Sequence, residues 1–193
     1  AVVIATQHKG DHLSAVRALR SPVGYVAIIA SRKRAGLMRD FLRDEGFSAQ
    51  EVDAVMALGP ARLGQVSQFL SAVRAFAALP ESPALAAANK RISNILKKTD
   101  DVDAHVSLVL LKEPAEIALH AAMLSVAPQS LAQWEAGDYT ASLQTLAALR
   151  PQVDAFFEDV MVNAEEIDLR LNRLGLLKSL HVAMNRVADL SRL

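Results

Sequence analysis

The chain has 193 residues, enough for one large domain or two small ones. Apolar residues make up 52% and charged residues 22%, with 34 Ala, 27 Leu, only eight Gly and seven Pro, which points to a globular, mainly helical protein. Twenty-one basic residues balance 21 acidic ones and there is no Cys, which excludes a uniformly basic nucleic-acid binder, a disulfide scaffold, a thiolate metal site and a cysteine nucleophile.

The first five residues, Ala-Val-Val-Ile-Ala, lack a basic leader and a cleavage pattern, so no signal peptide is expected. Opening without Met on a strand pattern, the chain reads as a piece of something longer. No apolar run approaches the roughly 18 residues of a membrane span, and a cytoplasmic protein is expected.

Residues 2–5 form a β-branched run closed by Thr6, Gln7 and a polar turn through Gly10. Asp11 can cap a helix carrying Leu13, Val16 and Leu19 at helical spacing. Ser21, Pro22 and Gly24 break the chain before a second β run over 25–30. Ser31 then caps a helix with Leu37, Met38, Phe41 and Leu42 on its buried face, and Gly46 ends it. Ser48 and Glu51 form a capping box for another short helix. The order predicts a partial βαβα segment with parallel strands. Two strands are too few for an independent sheet. Their edges are expected to be covered by later helices, by a second copy of the chain or by a partner.

After Gly59-Pro60 the β signal stops. Helices are predicted over 61–79 (stopped by Pro80), 83–98, from Pro114 with Pro128 kinking or ending it, 139–149, 151–163 and 165–191. Gly137-Asp138 turns the chain between two of them. Connections this short predict a helical bundle over 60–193, preceded by the α/β segment 1–59. Residues 1–59 hold eight basic and six acidic residues, and residues 60–193 hold thirteen and fifteen.

No Gly-rich phosphate loop is present. The first strand's turn, with Thr6, His8 and Lys9, lies at a strand's carboxyl end and could meet an anion; it also reads as an ordinary solvated turn. Ser31, Arg32, Lys33 and Arg34 occupy the equivalent place after the second strand, where cations oppose the helix dipole unless an anion is bound. The five His are scattered, no third ligand joins His8 and His12, and no metal is expected. No serine or carboxylate pair forms a catalytic set, so neither a catalytic residue nor a cofactor is assigned.

The clearest signal is AAANKRISNILKK over 86–98. At helical spacing Lys90, Arg91, Asn94, Lys97 and Lys98 fall within about 120° of one another. Leu85, Ala88, Ile92, Ile95 and Leu96 lie opposite. One face packs; the other offers four cations and an amide. Cations suit a phosphate backbone, and an amide can read base edges. The same face also fits a solvated amphipathic helix. A second polar set, LRLNRL over 169–174, places Arg170 and Arg173 three apart with Asn172 beside them. Before it, Phe156, Val160 and Asn163 share a helical stripe in 153–163, with the aromatics read as core and Asn163 as a helix cap.

These stretches, with LKEPAE (111–116), GDY (137–139), VDAFFEDVMVN (153–163) and RVADL (186–190), resemble in order and spacing the C-terminal end of the β subunit of bacterial tetrameric glycyl-tRNA synthetase. The resemblance covers about 60–193. It implies an all-helical anticodon-binding domain of the type shared with arginyl-tRNA synthetase. It also implies recognition of the tRNA for glycine, and partnership with the catalytic α subunit and the remainder of the β subunit. Lys90, Arg91, Lys97 and Lys98 would contact phosphate, with Asn94, Arg170, Asn172 and Arg173 the further RNA contacts. The run 181–185, His-Val-Ala-Met-Asn, departs from the family's more aromatic, apolar pattern.

Residues 1–57, through AVVIAT (1–6) and GYVAIIASRKR (24–34), resemble the end of the Rossmann-like domain of the XdhC/CoxI maturation factors of molybdenum hydroxylases. That resemblance implies an anionic cofactor or nucleotide at Thr6, Lys9 and Ser31, Arg32, Lys33 and Arg34. The two together read as a chimera joined near 57–62. A folded chimera without activity is the remaining alternative. Self-association through the strand edges is a further expectation.

Overall fold

The computed structural model describes residues 2–4, 26–28, 36, 39–40, 42–58, 65–99 and 102–193. Two strands, β1 (Val2–Ile4) and β2 (Val26–Ile28), pair in parallel with Val2 opposite Val26 and Ile4 opposite Ile28. Everything else of regular structure among the described residues is helical.

Leu42 is buried in the helical core, and the turn after it closes on Gly46, whose φ of 88° suits glycine. Helix α1 (Ala49–Ala57) starts with the predicted capping box: Glu51 N donates to Ser48 Oγ at 3.2 Å, and Ser48 N donates to Glu51 Oε2 at 2.7 Å. Its Val52, Ala54 and Val55 are fully buried, and Asp189 N donates to Ala54 O at 2.9 Å. Leu42 and α1 thus share one hydrophobic core with the helices that follow the boundary drawn at residue 59. Gly59-Pro60 is a local break in sequence, whereas α1 packs both on α2, which follows it, and on the 3-10 helix at the far end of the chain.

Helices α2 (Val66–Ala77) and α3 (Ser82–Leu96) follow, α3 with Pro83 in its first turn. A helix α4 (Pro114–Glu135) contains Pro128 and continues past it, so of the two expected outcomes, a kink or an end, the end does not occur. Pro128 and Leu124 both face solvent, so the carbonyl that loses its helical donor can take water instead. Gly137, with φ 83°, turns the chain, and Asp138 Oδ1 accepts from Ala141 N at 2.9 Å to cap α5 (Tyr139–Ala147).

Helices α4 and α5 meet through small residues: Ser130 Oγ donates to Ser142 O at 3.1 Å and Ser142 Oγ to Ser130 O at 2.9 Å, all buried. Across from them Phe69 and Tyr139 stack edge-on at 4.6 Å. Helix α6 (Arg150–Asp159) stops four residues before the predicted end, with Val160 extended at φ −107° and ψ 121°.

Helix α7 (Ile167–Met184) is shorter than the predicted 165–191. Asn185 stops it: its amide pairs reciprocally with Asn89 at 2.9 Å, and its Oδ1 accepts from Leu190 N at 3.0 Å. The chain then turns into a short 3-10 helix, Leu190–Arg192, packed on α1 and α3. That packing buries Val187, Ala188 and Leu190.

An extended strap, residues 102–107, runs along α7. Asn172 holds it like a strand partner, with Ser107 N donating to Asn172 Oδ1 at 2.7 Å and Asn172 Nδ2 to Ser107 O at 3.1 Å. Ser179 Oγ donates to Ala104 O at 2.7 Å. Between these ties lies Gly175, where a Cβ would stand 2.4 Å from His105 O. Among the described residues no helix is long and apolar enough to cross a membrane.

Candidate nucleic-acid interface

Helix α3 buries Leu85, Ala88, Asn89 and Ile92 against α6, α7 and the last 3-10 helix, with Ile95 and Leu96 half-buried. Its other side leaves Lys90, Arg91, Asn94, Lys97 and Lys98 exposed. The helical arc drawn from sequence is thus the arc that the fold turns outward. Lys97 and Lys98 sit where the helix dipole favours positive charge. Among the described residues no salt bridge involves Lys90, Arg91, Lys97 or Lys98. Four cations without carboxylate partners on one face hold a positive potential that the neutral total hides.

The face borders an open groove of about 590 Å³. Lys90, Arg91, Asn94, Lys98 and Thr99 line it from α3 and its end, and Asn163 lines it from the segment between α6 and α7. Lys97 is on the same exposed face but is not part of the lining. Arg91 is not a free side chain, since its guanidinium lies 4.3 Å from the centre of the half-buried Phe157 ring. Thr99 Oγ1 donates to Leu96 O at 3.0 Å and closes the end of α3.

Asn163 is the residue that sequence periodicity misplaced. The helical stripe Phe156, Val160, Asn163 breaks at Val160, where α6 has already ended. Val160 and Val162 are buried while Met161 and Asn163 are exposed, so 160–163 alternate as an extended segment and Asn163 enters the groove instead of capping a helix.

The LRLNRL residues are not at the surface in the way expected. Asn172 and Arg173 are each 5% exposed. Asn172 spends its amide on the strap at Ser107. Arg173 Nε donates to Glu116 Oε2 at 3.0 Å, with Glu116 itself fully buried in α4. Arg173 Nη1 donates to Met161 O at 2.8 Å, and the half-buried Arg170 donates from Nη1 to Ala164 O at 3.3 Å. Asn172 and Arg173 thus have their hydrogen-bonding groups taken inside the fold, and neither lines the groove.

Glu116 also accepts from the backbone N–H of Glu113 at 2.8 Å and from that of Lys112. Burial pushes its carboxyl pKa up, but the Arg173 hydrogen bond, the two backbone donors and the Arg173 charge outweigh burial and hold it below the ordinary 4.5.

Thr6, Lys9, Ser31, Arg32, Lys33 and Arg34 lie outside the described residues. Among the described residues no group of three His, Asp or Glu could hold a metal ion.

A groove with free cations on one wall and amides on both can hold a phosphate backbone and offer donors and acceptors to base edges. Residues 85–190, which include this whole groove, match the family of the DALR anticodon binding domain. The chain is 72% identical over 153 residues to the glycine-tRNA ligase beta subunit of Polaromonas naphthalenivorans (strain CJ2), covering 79% of this chain and 22% of that protein. It is 71% identical over 152 residues to the protein of that name from Paracidovorax citrulli (strain AAC00-1), with the same coverage. For Dechloromonas aromatica (strain RCB) the identity is 63% over 153 residues, again 79% of this chain and 22% of the relative. The chain spans about a fifth of the length of the curated relatives it matches. A likeness of 153 residues is longer than 60–193, so it reaches back at least to residue 41.

Proposed function

The chain belongs to the DALR anticodon binding domain family, and from that membership we propose that it is the tRNA-binding, anticodon-recognising part of a glycine-tRNA ligase beta chain, not catalytic by itself. The carrying observation is the groove: Lys90, Arg91 and Lys98 with Asn94 on one wall face Asn163 on the other. The cations hold phosphates, Lys97 extends the basic face beyond the groove, and the two amides read bases. The partners in this reading are the tRNA for glycine, the catalytic alpha subunit and the rest of the beta chain, in the cytoplasm. Titration with the glycine tRNA and with an anticodon-substituted transcript tests it. Tighter binding of the first supports the reading, and equal binding of both removes it.

The helical module in this reading reaches back at least to residue 41, ahead of the boundary at 59 drawn from the end of the β signal. A second reading rests on the parallel pairing of β1 and β2: an XdhC/CoxI-like segment that binds an anionic cofactor or nucleotide at Thr6, Lys9 and Ser31, Arg32, Lys33 and Arg34. Amide shifts in those residues on adding a nucleotide would support it. Self-association through the strand edges goes with it, and slow exchange of the Val2–Ile4 amides together with a dimeric elution volume would support that.

A further inference from the structure

We propose that Arg170 and Arg173 are positioning residues that clamp residues 161–164 so that Asn163 stands as a fixed wall of the groove, and that they act on base discrimination through Asn163. The functional half rests on the tRNA reading above; the structural half does not.

Between Asp159, where α6 ends, and Ile167, where α7 begins, the chain is neither helix nor strand, and it bends at 162–163 and 165–166. Val160 and Val162 anchor one side of this segment in the core. Its carbonyls need donors from elsewhere. Two come from consecutive turns of one helix: Arg173 to Met161 O at 2.8 Å, and Arg170 to Ala164 O at 3.3 Å. The held carbonyls bracket Asn163. The three-residue spacing of Arg170 and Arg173 puts both guanidinium groups on the same side of α7.

Arg173 is itself held. Its Nε and Nη2 reach Glu116 at 3.0 and 3.5 Å, and Glu116 is fixed by backbone donors at the start of α4. A planar guanidinium can donate to a carboxylate and a carbonyl at once; an ammonium on a shorter reach cannot hold both geometries. At 5% exposure Arg173 has little surface to offer a ligand, so its influence on the groove passes through what it holds. An ordered Asn163 meets a base without the entropic cost of fixing a loose loop.

The test uses the full chain, four single variants and one double variant, with Arg173→Ala left out because it would leave Glu116 buried and unpaired and is expected to unfold the bundle. Arg170→Ala, Arg170→Lys, Arg173→Lys and Asn163→Ala are first checked for a native circular dichroism spectrum. Backbone 15N order parameters are then read without RNA. In Arg170→Ala and Arg173→Lys those of 162–164 should fall from the rigid value of about 0.85 to below about 0.6 while those of α3 are unchanged. Unchanged order parameters in 162–164 overturn the clamp.

With the glycine tRNA, Arg170→Ala and Asn163→Ala should each weaken binding about fivefold, the size of one hydrogen bond. Their discrimination against the anticodon-substituted transcript should fall in parallel, and Arg170→Lys should restore most of the loss. The Arg170→Ala, Asn163→Ala double variant should bind no worse than Asn163→Ala alone. Losses that multiply would mean that Arg170 touches the RNA itself and would overturn the positioning role. If the unaltered chain shows no preference for the glycine tRNA, the tRNA reading fails with the functional half, and the order parameters alone decide the clamp.

Discussion

The guanidinium of Arg91 lies 4.3 Å from the centre of the Phe157 ring, joining α3 to α6 beside the basic groove. A cation over an aromatic face gains about 0.5–1 kcal/mol at an exposed site. Phe157→Leu should therefore keep the helical spectrum yet weaken tRNA binding roughly two- to fivefold, since Arg91 is released from a fixed position. Arg91→Ala should cost more, because it removes a phosphate contact as well. Filter-binding titrations of the two variants at one salt concentration check the order.

Gly175 carries a prediction about stability. The strap carbonyl of His105 occupies the space that a side chain there would need, at 2.4 Å from an added Cβ. Backbone cannot swing aside as a flexible side chain can. Gly175→Ala is expected to cost about 1–3 kcal/mol by overpacking, seen as a lower midpoint in urea. Freeing the strap should also speed exchange of the Ser107 amide, which Asn172 otherwise protects.

Acid should unfold the protein partly through Glu116. Its folded-state pKa is held below 4.5, so its stabilising contribution is complete above about pH 4.5 and is lost as pH falls through the lowered value. Asp189 adds a loss of the same sign: burial raises its pKa, but hydrogen bonds from Ser191 and Arg192 prevail and lower it. Urea denaturation between pH 3 and 6 should show stability falling with acid. Glu116→Gln should be less stable near neutrality by about 3–5 kcal/mol, the cost of breaking a buried pair, and its acid slope should be flatter.

His181 titrates in a higher window. Burial lowers its pKa below 6.5; Asp189 pulls the other way, and the Lys178 and Lys97 charges reinforce the lowering. The folded protein thus binds the proton less readily than the unfolded chain. Stability is complete above pH 6.5 and declines as pH falls toward the folded value. The ring also meets Ser93 Oγ at 2.9 Å, so its charge state bears on the α3–α7 contact. An NMR titration of His181 should have its midpoint below 6.5, and His181→Gln should remove this step from the stability profile.

The basic face of α3 was legible because a packed helix obeys one local period, and Lys90, Arg91, Asn94, Lys97 and Lys98 fell on one side of it. Gly46, the Ser48–Glu51 box and the Gly137-Asp138 turn were legible for the same reason: each is made by neighbours in sequence. Asn172 and Arg173 looked like surface polar groups because their partners, Ser107 and Glu116, lie 65 and 57 residues away. The contact of α1 with the end of the chain was hidden by the same limit, since Ala54 O takes the amide of Asp189, far along the sequence. Asn163 was missed as a groove residue because an apolar stripe continues on paper past the point where Val160 becomes extended. Its one cue in sequence is the pair of β-branched residues Val160 and Val162 two positions apart, which suits a strand-like segment as well as a helix end.

Salt dependence of tRNA binding tests the role of the α3 face most directly. Each phosphate neutralised in single-stranded RNA contributes about −0.7 to the slope of log affinity against log salt. A face with four cations that have no carboxylate partner among the described residues should give the unaltered chain a slope of about −2 to −3. Charge reversal at Lys90 and Lys98 together should reduce that slope by at least about 1.4 and weaken binding, while Arg43→Glu, on a residue paired with Asp40 away from the groove, should leave both unchanged. Equal slopes and affinities for the unaltered chain and the Lys90→Glu, Lys98→Glu variant would contradict an RNA-binding role for this face.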